Sequence, residues 1–290
     1  MIMFRFLSCV VVLVGVSTSR SQSPSKPGPL DNALVEKDLE YGPHGKNKLD
    51  LAVPKGKGPF PLIVWIHGGG WEMGSKYGFG PLIDQVPRGY ALASIGYRFS
   101  QHAIFPAQLH DAKAAIRFLR ENAKKFNIDP DRIGVSGASA GGHLAALVGT
   151  SNGVKGLDAD GAKPEASRVI AVVNYFGPAD LMKLSPPGAK ENPVTKLLGG
   201  DTGVEKELAI SGTPQTHIDK SDPPFLIIHG DKDRMVPISQ SEELHAALKK
   251  AGVDSELFVV KGGGHGIGIF TKETSEKVSA FWDKYLKAKN

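Results

Sequence analysis

The sequence predicts an α/β fold, a doubly wound and mostly parallel sheet with helices on both faces. Three observations predict it. Short apolar runs alternate with helical patterns from about Val35 to the end of the chain, as crossover units do. Several runs are apolar without interruption, Leu62-Ile63-Val64-Trp65-Ile66 most clearly, as strands covered on both faces require. Glycine (35) and proline (20) are frequent among the 290 residues, which fits many tight loops and argues against a helical bundle.

Taken in order, residues 1–22 read as a secretory signal. Arg5 gives a short positive start, Phe6 to Val16 an apolar run, and Ser17-Thr18-Ser19 the small residues that signal peptidase reads. The run is too short to span a bilayer. The expected location is therefore secreted or periplasmic. The single cysteine, Cys9, lies inside that run. A processed chain would hold none, which excludes a disulfide scaffold, a thiol enzyme and a Cys-ligated metal protein. Residues 23–34 read as a Ser/Pro-rich linker and 35–290 as one catalytic domain.

Within that domain, strands are predicted at Lys48–Val53, Leu62–Ile66, Ala91–Gly96, Ile133–Ser136, Val169–Tyr175, Phe225–His229 and Glu256–Val260. Helices are predicted at about 107–126, 140–150, 238–251 and 271–287, the first and last with apolar residues at the helical period. Residues 180–221 break the alternation. They are rich in Pro, Gly and Lys, and are expected to lie as a short lid over the carboxyl edge of the sheet, where ligands bind in open α/β folds. The net charge is +5, or +3 once Arg5 and Arg20 are removed. That is too small and too evenly spread to indicate a nucleic-acid partner.

The strongest chemical signal is Gly137-Ala138-Ser139-Ala140-Gly141-Gly142, between the strand Ile133–Ser136 and an Ala/Leu-rich helix. G-x-S-x-G in this strand–turn–helix context makes Ser139 a nucleophile at the tip of a sharp turn. Gly is needed at 137 and 141, where side chains would meet neighbouring strands. No Lys follows the glycines, which excludes a phosphate loop, and the spacing does not fit dinucleotide binding. Upstream, His67-Gly68-Gly69-Gly70-Trp71 follows the strand Leu62–Ile66. Glycines at a strand end can aim several N–H groups into one cavity. The predicted oxyanion hole is Gly69 and Gly70, with Ala140 after the nucleophile. Trp71 is assigned to substrate binding, with a place in the core as the alternative. His67 is expected to fix the loop by hydrogen bonding.

The predicted base is His265, in the Gly-rich loop Lys261–Gly266 after the last strand. His229, at the end of the strand Phe225–Ile228, is expected to be structural. The predicted acid is Asp233. Asp231 reads as a turn residue, and Asp180 is a weaker rival. Ser139, Asp233, His265 is the order nucleophile, acid, base.

HGGGW at 67–71, GASAGG at 137–142, HGDKDRMVP at 229–237 and GGGHG at 262–266 resemble the α/β-hydrolase esterases. They look closest to the hormone-sensitive-lipase-like group and its secreted acetylxylan and feruloyl esterase relatives, over about residues 35–288. The resemblance implies the α/β-hydrolase fold with an eight-stranded sheet. It makes Asp111, after Tyr97-Arg98 and Phe105-Pro106-Ala107-Gln108, a structural partner near the oxyanion loop. The short N-terminal segment and the short 180–221 stretch depart from the lipase-like group, favouring an open site and arguing against long-chain lipids. The expected function is serine ester hydrolysis through an acyl-enzyme, removing short acyl or feruloyl groups from plant polysaccharide. This chemistry needs no metal or organic cofactor. The alternatives are a general short-chain carboxylesterase, a small secreted peptidase, a hydrolase-like binding protein without catalysis, and a partner-binding module using 180–221.

Overall fold

The computed structural model describes residues 28–287. The proposed signal segment and most of the proposed linker lie outside the described residues. Eight strands form one sheet: β1 (Ala33–Glu40), β2 (Lys48–Pro54), β3 (Phe60–Ile66), β4 (Ala91–Ile95), β5 (Ile128–Ala138), β6 (Ala171–Tyr175), β7 (Phe225–Gly230) and β8 (Ser255–Val260). Their order is β1-β2-β4-β3-β5-β6-β7-β8. The β1–β2 and β2–β4 pairs are antiparallel, and every other pair is parallel.

Alternation along the central strands divides the core into two layers. Leu62, Val64 and Ile66 of β3 face one layer and Ile63 and Trp65 the other, as the two-residue period of a strand requires. The first layer is covered by α1 (Ala107–Glu121), α3 (Ala140–Thr150) and α7 (Ser239–Lys250). The second is covered by a 3₁₀ helix at Gly80–Arg88 and by α8 (Lys272–Leu286). Trp282 of α8 is fully buried, and a Cβ at Gly134 of β5 would stand 2.6 Å from its ring. Gly134 thus lets the indole lie directly on the sheet.

The structure departs from the sequence reading in several places, among them β5, which starts at Ile128 rather than Ile133. A strand, β1, begins at Ala33, inside the stretch assigned to the linker. The helix predicted over 107–126 stops at Asn122, and a short turn, α2 (Ala123–Phe126), follows. The strand expected from Val169 begins at Ala171. The 180–221 stretch, expected as a short lid, carries helices that the sequence reading did not assign. It forms α4 (Leu181–Leu184), α5 (Pro193–Leu198), α6 (Lys206–Ser211) and a 3₁₀ turn. Leu181, Val194, Leu197, Leu198 and Ala209 anchor it in the first core layer. Asn192 caps α5 reciprocally with Thr195, satisfying N–H groups that a helix start leaves open.

Three buried imidazoles, His67, His143 and His229, surround the carboxyl ends of the strands. Burial disfavours their charged forms and lowers all three below the ordinary histidine value. His143 of α3 donates from Nε2 to Gly212 O at 2.6 Å, and burial pushes it down to about 4.

Two outcomes are expected. Trp282→Ala should lower unfolding free energy by about 3–5 kcal/mol, as removal of a buried indole does, measured by denaturant titration. Burial holds the native-state pKa of His143 down to about 4, whereas an unfolded chain binds that proton at about 6.5. Stability should therefore be complete above that value and fall as the pH drops towards 4. A denaturation midpoint no lower at pH 5 than at pH 7 would contradict this.

Candidate active site

Because β3, β5, β6, β7 and β8 run parallel, their carboxyl ends share one edge, and the loops leaving that edge carry the chemistry. Ser139 follows β5 with φ 54° and ψ −123°, a conformation that costs a non-glycine residue of order 1–3 kcal/mol. Its surroundings enforce it. Ser139 N–H donates to Tyr175 O at 2.9 Å, and Ser139 O accepts from His143 N–H at 3.0 Å. A Cβ at Gly141 would lie 2.1 Å from Ile66 O, so only glycine lets the start of α3 pass this close to the end of β3.

The proposed triad is assembled. His265 Nδ1 stands 2.7 Å from Asp233 Oδ2 and its Nε2 2.8 Å from Ser139 Oγ. A carboxylate can only accept, so Nδ1 carries the hydrogen and Nε2 is free to accept from the serine hydroxyl. The Asp233 side chain is fully buried and that of His265 is mostly so. The acid is held on all sides. Its Oδ1 accepts from the N–H groups of Met235 (2.8 Å) and Val236 (2.9 Å).

His229 supports the acid from behind. Its Nε2 donates to Val236 O at 2.9 Å and lies 3.4 Å from Asp233 Oδ2, while Ser241 Oγ donates to Nδ1 at 2.6 Å. Asp231 accepts instead from Gly262 N–H at 2.7 Å, tying the acid loop to the base loop. Asp180 caps α4 by accepting from Lys183 N–H at 3.0 Å.

At the end of β3, His67 is a loop-fixing residue. Its Nδ1 donates to Gly68 O at 2.8 Å, and its ring stacks on Tyr97 at 4.5 Å. Tyr97 donates to His67 O at 3.0 Å. Arg98 follows and is bound by Asp111 at 2.7 and 2.9 Å, which is the structural place expected for Asp111. Gly69 turns with φ 115°, and a Cβ there would meet Met73 O at 2.1 Å. Gly68, Gly69, Gly70 and Ser139 all line one cleft. Among the described residues, the N–H groups of Gly69, Gly70 and Ala140 enter no turn, loop or side-chain hydrogen bond.

Trp71 requires a correction. It does not line the cleft. With φ 58° its backbone turns the indole into the core, where it is 2% exposed and packs edge-on against His143 at 5.2 Å. The cleft, about 760 Å³, is walled instead by Trp65, Met73, Phe176, Pro193, Met235 and Phe270, with Glu72 beside them. Sequence reasoning missed these. Phe176 alone had a readable signal, one residue past a strand at the functional edge.

A family model, BD-FAE, matches residues 49–248. Among curated proteins, esterase LipQ of Mycobacterium tuberculosis (strain ATCC 25618 / H37Rv) is 33% identical over 79% of this chain. The chain spans 56% of the length of LipQ. Among solved structures, a truncated carbohydrate esterase from gut microbiota superposes with a TM-score of 0.80 at 34% identity, covering 90% of this chain and 99% of that one. An acetyl ester-xyloside bifunctional hydrolase from Caldicellulosiruptor lactoaceticus gives a TM-score of 0.68 at 32% identity, covering 82% and 88%. The sheet order, the strained serine turn and these matches together place the chain in the BD-FAE family of α/β-hydrolase esterases.

Proposed function

We propose that this chain is a serine carboxylic-ester hydrolase that removes short acyl or feruloyl groups from polysaccharide outside the cytoplasm. The observation that carries the esterase reading is the continuous hydrogen-bonded chain Ser139–His265–Asp233 beside unpaired backbone N–H groups. His265 Nε2 takes the serine proton as Oγ attacks the ester carbonyl. The oxyanion enters the hydrogen bonds offered by Gly69, Gly70 and Ala140, which are positioned before the reaction begins. Asp233 stabilises the imidazolium. His265 then protonates the leaving alcohol, and water repeats the sequence on the acyl-enzyme.

The carbohydrate reading is supported by two solved neighbours, the carbohydrate esterase from gut microbiota and the acetyl ester-xyloside bifunctional hydrolase. An open cleft suits an ester borne on a bulky alcohol. A general short-chain carboxylesterase is the second reading, favoured by the cleft's mainly apolar walls.

Ser139→Ala should reduce turnover by at least about 10³-fold with the fold intact, read by ester hydrolysis alongside circular dichroism. Near-wild-type turnover would remove the assignment. Asp233→Asn should cost roughly 10³–10⁴-fold. Asp231→Asn should cost far less, because an amide oxygen still accepts from Gly262. Equal losses would contradict these roles. Acetylated and feruloylated xylan tests the substrate. Acetate or ferulate released by wild type but not by Ser139→Ala supports the carbohydrate reading. Hydrolysis of only a small chromogenic acetate favours the second reading.

A further inference from the structure

We propose that Glu72 is a specificity-determining residue that accepts a hydrogen bond from a hydroxyl of the substrate and so selects esters of sugars or other polyols over esters of plain alkyl alcohols. The inference rests on the proposed function. Apart from Ser139 and His265, Glu72 supplies the one charged or hydrogen-bonding side chain besides an indole among the residues lining the cleft; the others are apolar residues and glycines. A lone polar group on an apolar wall fixes the orientation of whatever binds there.

The carboxylate is aimed and held. Glu72 N–H donates to Gly69 O at 3.0 Å, fastening the residue to the turn that forms the oxyanion loop. Glu72 O accepts from Gln101 Nε2 at 2.9 Å. Its Oε1 pairs with Lys196 Nζ of α5 at 2.8 Å. Its Oε2 lies within 4 Å of where a Cβ on Gly70 would sit, and among the described residues no donor is recorded for it. One oxygen is thus engaged, and the other faces the space beside the oxyanion loop with acceptor capacity left. The Glu72 side chain is 24% exposed, so its carboxylate is open to solvent. A substrate that covers this carboxylate must offer it a hydrogen bond or leave it unsatisfied. A sugar hydroxyl offers one, and a methylene does not. Discrimination of this kind is larger than a hydrophobic pocket can achieve.

Methyl xyloside acetate and ethyl acetate carry the same acyl group on a polyol and on a plain alkyl alcohol. The readout is the ratio of their kcat/KM values. Glu72→Leu should lower this ratio by about tenfold or more, the scale of a charge-assisted hydrogen bond. Glu72→Gln keeps an acceptor oxygen and should restore part of it. Lys196→Met breaks the pair to α5 but leaves the carboxylate, and should keep the ratio near the wild-type value. If Glu72 acts only by clasping the insertion, Glu72→Leu and Lys196→Met will change the two substrates alike, and the proposal falls. An unchanged ratio in Glu72→Leu also overturns it while leaving the carbohydrate reading intact. Wild-type enzyme that does not hydrolyse the xyloside ester overturns both.

Discussion

The constraint on which the site depends is the contact between the first turn of α3 and the end of β3. A helix that begins directly from a strand can carry its nucleophile at the tip only if the backbone reverses within a residue or two. Ser139 takes up that reversal in its strained angles, and Gly141 makes room for it against Ile66 O. The same close approach sets the end of β3 beside the start of α3. The glycine loop leaving β3 therefore faces the serine hydroxyl. The Ser139 turn and the glycine loop proposed to bind the oxyanion are placed by one packing event, and neither needs its own device.

The acid end of the triad is arranged on a different principle. Removing a carboxylate from water is costly unless the chain replaces the water. Asp233 is fully buried, and two backbone N–H groups and the His265 ring take over its solvation. His229 completes the enclosure, held neutral by burial and occupied by Val236 and Ser241. A second cation beside the acid would compete with His265 for it, so the neutral state of His229 serves the arrangement.

Most of this was legible in the sequence because the central strands are covered on both faces and the functional loops repeat glycine at strand ends. Ser139, His265 and Asp233 could be placed together, and Gly69 and Gly70 beside them, because turn chemistry restricts which residues fit at those strand ends. β1 was not legible. Its pattern ALVEKDLE is mostly exposed, since an edge strand outside the core layers is held by backbone pairing that leaves no apolar signature. The helices of 180–221 run to four or six residues, too short for a period, and packing against the first core layer stabilises them. Trp71 went to the core because its left-handed backbone reversed the direction of its side chain. No rule of spacing reveals that a tryptophan after three glycines will adopt this conformation. Glu72 carries no motif at all; its place follows only from the path of the chain around Gly69 and Gly70.

The position of β8 has a consequence for how the molecule would lose activity. Among the described residues it is the last strand of the sheet, bonded on one side only, to β7, and its residues are half exposed. His265 hangs from its end. Outer strands with few buried contacts open at lower free energy than the sheet interior. The proposed base is therefore borne by an element of low local stability, while the proposed nucleophile sits on a central one. Partial opening at this border would disconnect the proton relay and leave the rest of the sheet folded, so catalytic competence and global folding are governed by different free energies in the same chain.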